Sequence, residues 1–168
     1  MRFAAPAAAL SLALALSASI GVAAKHEADP RAVQLVAEGR AALAADKPQE
    51  AIDAFEAALA VDPAHTAVYL ELADAARHQG LQGKAITYYR VALERDPENL
   101  AAISGEGAAL VEKGALERAR RNLARLESLC GNSCPETREL ASAIAQGPQP
   151  MVLTAEAIMP DAQVTKSN

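Results

Sequence analysis

Two stretches decide the fold: ALAVDPAH, from Ala58 to His65, and ALERDPEN, from Ala92 to Asn99. They lie 34 residues apart, and each places a proline in a run that is otherwise rich in helix formers. Pro63 and Pro97 lack a backbone N–H and bias the preceding aspartate away from helical geometry, so each ends a helix. The spacing therefore predicts a helical unit that repeats every 34 residues.

Four further positions recur with the same period, and their side chains follow the order large, small, small, large. They are Leu35, Tyr69 and Ile103; Gly39, Ala73 and Gly107; Ala51, Ala85 and Ala119; and Phe55, Tyr89 and Leu123. The small positions of one unit are expected to face each other, and the last large set to fill the seam with the next unit as core, not as ligand contacts. The pattern resembles the tetratricopeptide repeat, a helix-turn-helix unit, over about residues 31–133.

The resemblance implies an all-α fold, a right-handed α-solenoid of three repeats closed by a C-terminal capping helix. Composition agrees, because a chain with 51% hydrophobic but only 3% aromatic residues suits helices that meet through alanine. Gly80 and Gly114 are expected to end the first helices of the second and third repeats. The expected boundaries are 32–65, 66–99 and 100–133 for the repeats and 135–146 for the capping helix, within a domain of residues 31–146.

Four polar side chains are predicted to cap helices. Asp46 is expected to open the second helix of the first repeat. Asp62 and Asp96, which precede the two prolines, are expected to cap the first helix of the following repeat. Ser133 with Glu136 has the spacing of a capping box at the start of the last helix.

Residues 1–24 have the pattern of a secretory signal peptide. Arg2 precedes an apolar run without a charge until Lys25, and small residues stand at 22–24. Because Pro6 and the many alanines make the run only mildly apolar, cleavage after residue 24 is favoured over a retained anchor. We expect an exported, periplasmic protein of bacterial type, with secretion as one alternative and a membrane-tethered subunit as another. Residues 25–30 would then be a linker.

Cys130 and Cys134 are the two cysteines of the chain. In an exported protein this short, even-numbered pattern predicts a disulfide that joins the third repeat to the capping helix. The alternative is a thiol-disulfide or envelope assembly factor, but the spacing is CxxxC and not the CxxC that lowers a thiol pKa. A metal site is not predicted, since two thiols without a nearby histidine do not complete a tetrahedral set.

Residues 147–168 form a tail with three prolines and little periodicity, and it is predicted to be flexible. Its segment 151–159 is apolar enough to fold over Val33, Val36 and Leu43 or to dock on a partner.

The resemblance implies that a peptide or protein segment binds a concave surface lined by the first helix of each repeat. That surface carries basic groups that could pair with an acidic partner and acidic groups that could pair with a basic one. The alternative for each charge is a solvated helix face. The family's lysine and asparagine clamp for a terminal carboxylate has no counterpart here. The expected lining residues are Val33, Val36, Arg40 and Leu43; Leu70, Asp74, Arg77 and His78; and Ser104, Ala108, Val111 and Glu112.

Other function classes are not indicated. The net charge of -5 carries no long run of one sign, which argues against nucleic acid or an anionic membrane as the main partner. The basic cluster in residues 118–125 is interpreted as a solvated helix face, with phosphate binding as the alternative. No nucleophile in a recognisable context, phosphate loop or paired catalytic carboxylates are evident, so neither an enzyme, a cofactor nor a small-molecule substrate is expected.

Overall fold

Seven helices and no strand make up residues 26–148, the part of the chain that the computed structural model describes. The predicted signal peptide and nearly all of the predicted tail lie outside these residues. Within them, no helix combines the length and the apolar character needed to cross a membrane. The helices are α1 (Pro30–Ala44), α2 (Pro48–Val61), α3 (Ala67–His78), α4 (Gln82–Arg95), α5 (Leu100–Glu112), α6 (Leu116–Cys130) and α7 (Pro135–Gln146).

The helices pack in sequential pairs, α1 with α2, α3 with α4 and α5 with α6, and each pair contacts the next. Helix α7 packs against α5 and α6, where it covers the end of the array. The all-α fold is therefore confirmed, and α7 spans the residues predicted for the capping helix. Stacking is required because a single helix pair cannot bury both of its faces.

The turns inside the second and third pairs depend on glycine. Gly80 and Gly114 have φ values of +70° and +80°, a left-handed conformation that glycine adopts without steric cost. Both glycines follow the first helix of their pair, as the 34-residue spacing predicts.

The predicted helix caps are wrong at all four positions. Asp46 and Ser133 lie outside the N-cap positions, which Lys47 and Cys134 occupy without a side-chain hydrogen bond. Helix α5 is capped by Asn99, whose Oδ1 accepts the backbone N–H of residue 102 at 2.9 Å, while Asp96 only accepts a bond from the Asn99 amide. In this loop the capping side chain thus lies three residues beyond the position expected, because α5 begins only at Leu100.

Asp62 joins two loops instead of capping α3. Its carboxylate accepts the backbone N–H groups of Asp29 and Ala64 at 3.1 Å each, and its Oδ2 lies 2.8 Å from His26 Nε2. The residue is only 6% exposed. Burial raises the pKa of Asp62, but the bonds from His26, Asp29 and Ala64 outweigh it and hold that pKa below its ordinary value. The segment before α1 is thereby fixed to the α2–α3 loop.

We expect Asp62→Asn to lower the melting temperature at neutral pH and to flatten its dependence on acid. Since the pKa of Asp62 is lowered on folding, its stabilisation is complete above the unfolded pKa of about 4 and is lost as pH falls through the folded value. Melting curves between about pH 6 and about pH 2 give the difference between wild type and variant, which should shrink toward low pH. Asp53→Asn, at an exposed position of α2, is the matched control. An Asp62→Asn difference that stays constant with pH would contradict this role.

The core consists of two clusters, one within α1 to α3 and one that extends from α3 to α7. Phe55 is fully buried in the first, and a Cβ built on Gly39 would lie 2.4 Å from its ring. In the second, a Cβ on Gly107 would lie 2.5 Å from Leu140 of α7. The expectation that each glycine simply faces the alanine of its partner helix is therefore incomplete, because both glycines accommodate a large side chain. Phe55 fills space inside its own helix pair as well as beside the next.

Candidate functional site

A cavity of about 510 Å³ opens between α3, α5 and α7. We call it the central cavity. Its apolar lining comes from all three helices and includes the ring of Tyr89, which reaches it from α4. Its charged lining consists of four carboxylates and one guanidinium group. The lining residues are Leu70, Glu71, Asp74, Arg77, Tyr89, Ala101, Ser104, Gly105, Ala108, Glu136, Glu139 and Leu140.

A second cavity of about 420 Å³ adjoins the first on the side of α1. We call it the side cavity, and the two together the groove. It shares Glu71, Asp74 and Arg77 with the central cavity. Its remaining lining residues are Leu43, His78 and Glu112. The groove therefore extends along the first helices of the three pairs and ends on α7.

Arg77 is the cation at the junction of the two cavities. Its Nε donates to Glu112 Oε1 at 3.1 Å, and its NH1 lies 3.8 Å from Asp74 Oδ1. Burial lowers the pKa of Arg77, but the bonds and charges of Glu112 and Tyr89 outweigh it and raise that pKa above its ordinary value. Arg77 is thus permanently charged and already engaged by carboxylates from α3 and α5.

Tyr89 supports the floor of the groove from below. Its hydroxyl donates to Asp74 Oδ1. Its ring packs so closely on Gly105 that a Cβ added to that glycine would lie 2.4 Å from the ring. Burial and the neighbouring Asp74 carboxylate raise the pKa of Tyr89 above its ordinary value, so the hydroxyl stays protonated and remains a donor. The contact joins the Asp74 side chain of α3 to α4.

Arg40 of α1 pairs with Glu71 of α3 across the first repeat boundary, with its Nε 2.9 Å from Glu71 Oε1. The hydrogen bond to Glu71 raises the pKa of Arg40. Both guanidinium groups of this surface are consequently satisfied by acidic residues of the neighbouring pair.

The structure brings eight of the twelve predicted binding residues to the groove lining. Leu43, Leu70, Asp74, Arg77, His78, Ala108 and Glu112 line it with accessible surface, and Ser104 lines it although it is only 7% exposed. Val33, which is 49% exposed, and Arg40 lie on α1 outside the lining.

Three of the predicted side chains are too buried to offer much contact to a partner. Val36 and Val111 belong to the core, with 5% and 3% exposure. Ser104 Oγ donates to the backbone oxygen of Glu136 at 3.2 Å, so its hydroxyl serves the packing of α7 on α5. The expectation of a direct contact is corrected for these residues, because the helices are rotated to direct them inward.

Seven lining residues were absent from the predicted set: Glu71, Tyr89, Ala101, Gly105, Glu136, Glu139 and Leu140. Three of them lie on α7, which was interpreted only as a cap. The signal that could have found them is the spacing of Glu136, Glu139 and Leu140, which places all three on one side of a helix that packs beside α5. Tyr89 was assigned to the core, and it is both buried and part of the cavity wall.

Cys130 and Cys134 lie at the corner between α6 and α7, joined in the structure by a disulfide with Cα atoms 5.9 Å apart. Such a Cα separation is ordinary for a disulfide. The carboxylate of Glu136 lies close to both sulfurs, and these three residues form the group of metal-ligand type found within residues 26–148. Cysteine binds a metal ion as the thiolate, a form that the two sulfurs do not have while they are joined in a disulfide.

The basic cluster of α6 has local partners. Arg120 pairs with Glu117, and Arg125 donates to the backbone oxygen of Pro97. Arg118 and Arg121 are exposed. These contacts agree with a solvated helix face.

The chain is similar to helical repeat proteins in part of its sequence and in its fold. Residues 36–99 match a family model described as tetratricopeptide repeat. A comparison with curated protein sequences finds no match.

Solved structures share the fold over most of the described helices. The first TPR of Spaghetti (RPAP3), bound to the HSP90 peptide SRMEEVD, is 25% identical with a TM-score of 0.62, covering 73% of this chain and 97% of that one. The Sgt2 TPR domain from Aspergillus fumigatus is 24% identical with a TM-score of 0.64, covering 84% and 93%. The type III secretion chaperone SycD from Yersinia enterocolitica, in complex with a YopD peptide, is 23% identical with a TM-score of 0.59, covering 68% and 86%.

Proposed function

We propose that the protein is a noncatalytic scaffold that binds a protein segment in the groove, because residues 36–99 match a tetratricopeptide-repeat model and the chain shares the fold of solved TPR domains. The observation that carries this proposal is the groove itself. It is open, it has an apolar floor, and it is continuous across α3, α5 and α7. Structures with this fold include complexes with peptides of HSP90 and of the translocator YopD, which supports peptide binding as the activity.

The chemistry of the groove suits an extended segment. Leu70, Ala101, Ala108 and Leu140 offer apolar contact, while the surrounding carboxylates fix orientation through hydrogen bonds and ion pairs. A binding surface of this kind gains affinity from the apolar floor and specificity from the charged rim.

Ala101 provides a steric test that leaves the charges of the groove intact. It is exposed and lines the central cavity, so phenylalanine at this position fills the cavity without entering the core. Ala57→Phe is the matched control, because Ala57 is also exposed, lies on α2 and lines neither cavity. Charge reversal of Arg77 is less suitable, since it also breaks the bond to Glu112 that joins α3 to α5.

We expect Ala101→Phe to abolish capture of a specific partner from an envelope extract, and Ala57→Phe to retain it. The captured proteins are identified by mass spectrometry, and melting curves of both variants check that they fold. Equal capture by the two variants would move the binding site away from the groove.

The location and the state of the cysteines form a second part of the proposal: the protein is exported, its first 24 residues are removed, and Cys130 and Cys134 form a disulfide. Support comes from the charge and apolar pattern of residues 1–24 and from the geometry of the corner between α6 and α7. A loop this small contributes about 2 kcal/mol at most.

The intact mass of the protein recovered from the envelope of an expressing bacterium tests both features. We expect the mass of residues 25–168, reduced by about two hydrogen masses for the disulfide. Treatment with a reductant should restore those hydrogens and lower the melting temperature. A mass that includes residues 1–24 would contradict export with cleavage, and two free thiols in the native protein would contradict the disulfide.

A further inference from the structure

We propose that the segment bound in the groove is cationic, with a lysine or arginine side chain inserted over the floor of the central cavity. This inference rests on the proposed function and adds the chemical class of the partner. Its basis is that some charged side chains of the groove already have ion-pair partners within the protein, whereas others have none.

The groove has an excess of negative charge. Its lining carries five carboxylates, from Glu71, Asp74, Glu112, Glu136 and Glu139. Arg77 opposes them within the lining, and Arg40 pairs with Glu71 from outside it. His78 also lines the side cavity and is counted as neutral, as in the formal charge of the chain. Five carboxylates and two guanidinium groups leave an excess of three negative charges.

The two arginines of the groove region already have carboxylate partners within the protein. Arg77 is engaged by Glu112 and Asp74, and Arg40 by Glu71. An incoming carboxylate would have to displace one of these partners and would leave a protein carboxylate without its cation. The arrangement therefore disfavours an acidic segment such as the peptide SRMEEVD, to which the first TPR of Spaghetti (RPAP3) is bound.

Two carboxylates have no cation partner. Among the ion pairs of residues 26–148, none involves Glu136 or Glu139, and both residues line the central cavity at its α7 end. The Glu136 carboxylate also lies close to the sulfurs of Cys130 and Cys134, so Glu139 is the main candidate to pair with a bound cation. Glu136 lies in the first turn of α7, where the helix dipole favours a negative charge even before a ligand arrives.

The floor of the cavity complements the rest of such a side chain. Leu70, Ala108 and Leu140 line the same cavity as Glu136 and Glu139 and present apolar surface there. Lysine and arginine bury an apolar stem while the charged end stays among polar groups, so both parts of the side chain find partners here. An uncharged apolar segment would form no ion pair with the groove carboxylates, and an acidic segment would be repelled by them.

The test begins with a random peptide library displayed on phage, selected on the purified full chain and counter-selected on Ala101→Phe. Peptides that bind the wild type and Ala57→Phe but not Ala101→Phe bind through the groove. We expect these to be enriched in lysine and arginine. Groove-dependent peptides enriched in aspartate and glutamate, or without charge preference, would overturn the inference while the proposed function stands. Failure to recover any groove-dependent peptide would contradict the proposed function as well.

The second step measures the affinity of one enriched peptide for charge-neutral variants. Glu136→Gln with Glu139→Gln should weaken binding roughly five-fold at low salt, and by less at high salt where exposed charges are screened. Glu56→Gln with Glu94→Gln removes the same charge from exposed positions of α2 and α4 and should leave the affinity unchanged. Equal weakening by both double variants would show that net charge attracts the peptide, and it would overturn the assignment to this cavity.

Discussion

Replacing Phe55 with alanine should lower the free energy of unfolding by about 3–5 kcal/mol. Phe55 is the largest fully buried side chain of the first cluster, where it lies against the backbone of Gly39. Its removal leaves a cavity between α1 and α2, because neither helix can move inward without disturbing the contact with α3. Denaturant unfolding followed by circular dichroism gives the difference.

A double-mutant cycle makes the same prediction more specific. Gly39→Ala alone should destabilise the protein, since its Cβ would lie 2.4 Å from the Phe55 ring. When Phe55 is already alanine, the methyl group added by Gly39→Ala contacts no ring. Its destabilising effect on the free energy of unfolding should then disappear or change sign. Val33→Ala, at an exposed position of the same helix, is the control and should change stability by about 0.5 kcal/mol or less. Additive effects of the two substitutions would contradict the contact.

Leu140→Ala should cost about 2–5 kcal/mol, the second large effect. Leu140 is 1% exposed and lies where Gly107 leaves space for it, so it fixes α7 to α5. The last pair would otherwise expose an apolar face, which makes the capping helix part of the stable array. The matched control is Leu129→Ala, at a leucine of α6 that is 38% exposed. If the two alanine variants unfold at the same denaturant concentration, α7 does not stabilise the array through Leu140.

The fold could be predicted from the sequence because the residues that define it recur at a fixed distance. Pro63 and Pro97 end α2 and α4 through backbone chemistry that does not depend on context, and Gly80 and Gly114 reverse the chain at equivalent points. A repeated signal of this kind specifies helix number, order and approximate length. It also explains why the helix ends agree better than the caps, which depend on side-chain geometry in loops of only a few residues.

The groove could be predicted only in part, since periodicity identifies a helix but not its rotation. Val36 and Val111 were expected on the binding surface, but their side chains are buried in the core. Glu71, which was not predicted, lines the groove instead. The residues of α7 were missed for a different reason. Their helix follows the last recognisable repeat, so the pattern contains no earlier copy to indicate that Glu136 and Glu139 extend the same surface.

The ion pairs of the groove could not be predicted from the sequence either. Arg40, Arg77 and His78 were considered as partners for acidic groups of a ligand, but the sequence does not reveal that Glu71 and Glu112 already neutralise both arginines. These pairs join residues 31 and 35 positions apart and form only when successive helix pairs stack. The preference for a cationic partner thus arises from tertiary packing.

Site-specific photo-crosslinking in the envelope extract, with benzoylphenylalanine placed at Ala101 or at Ala57, shows whether the partner binds in the groove. We expect a covalent adduct with a partner protein from position 101 and none from position 57, since Ala101 lines the central cavity and Ala57 does not. An adduct from position 57 alone, or equal adducts from both positions, would show that the partner binds outside the groove and would contradict the proposed function.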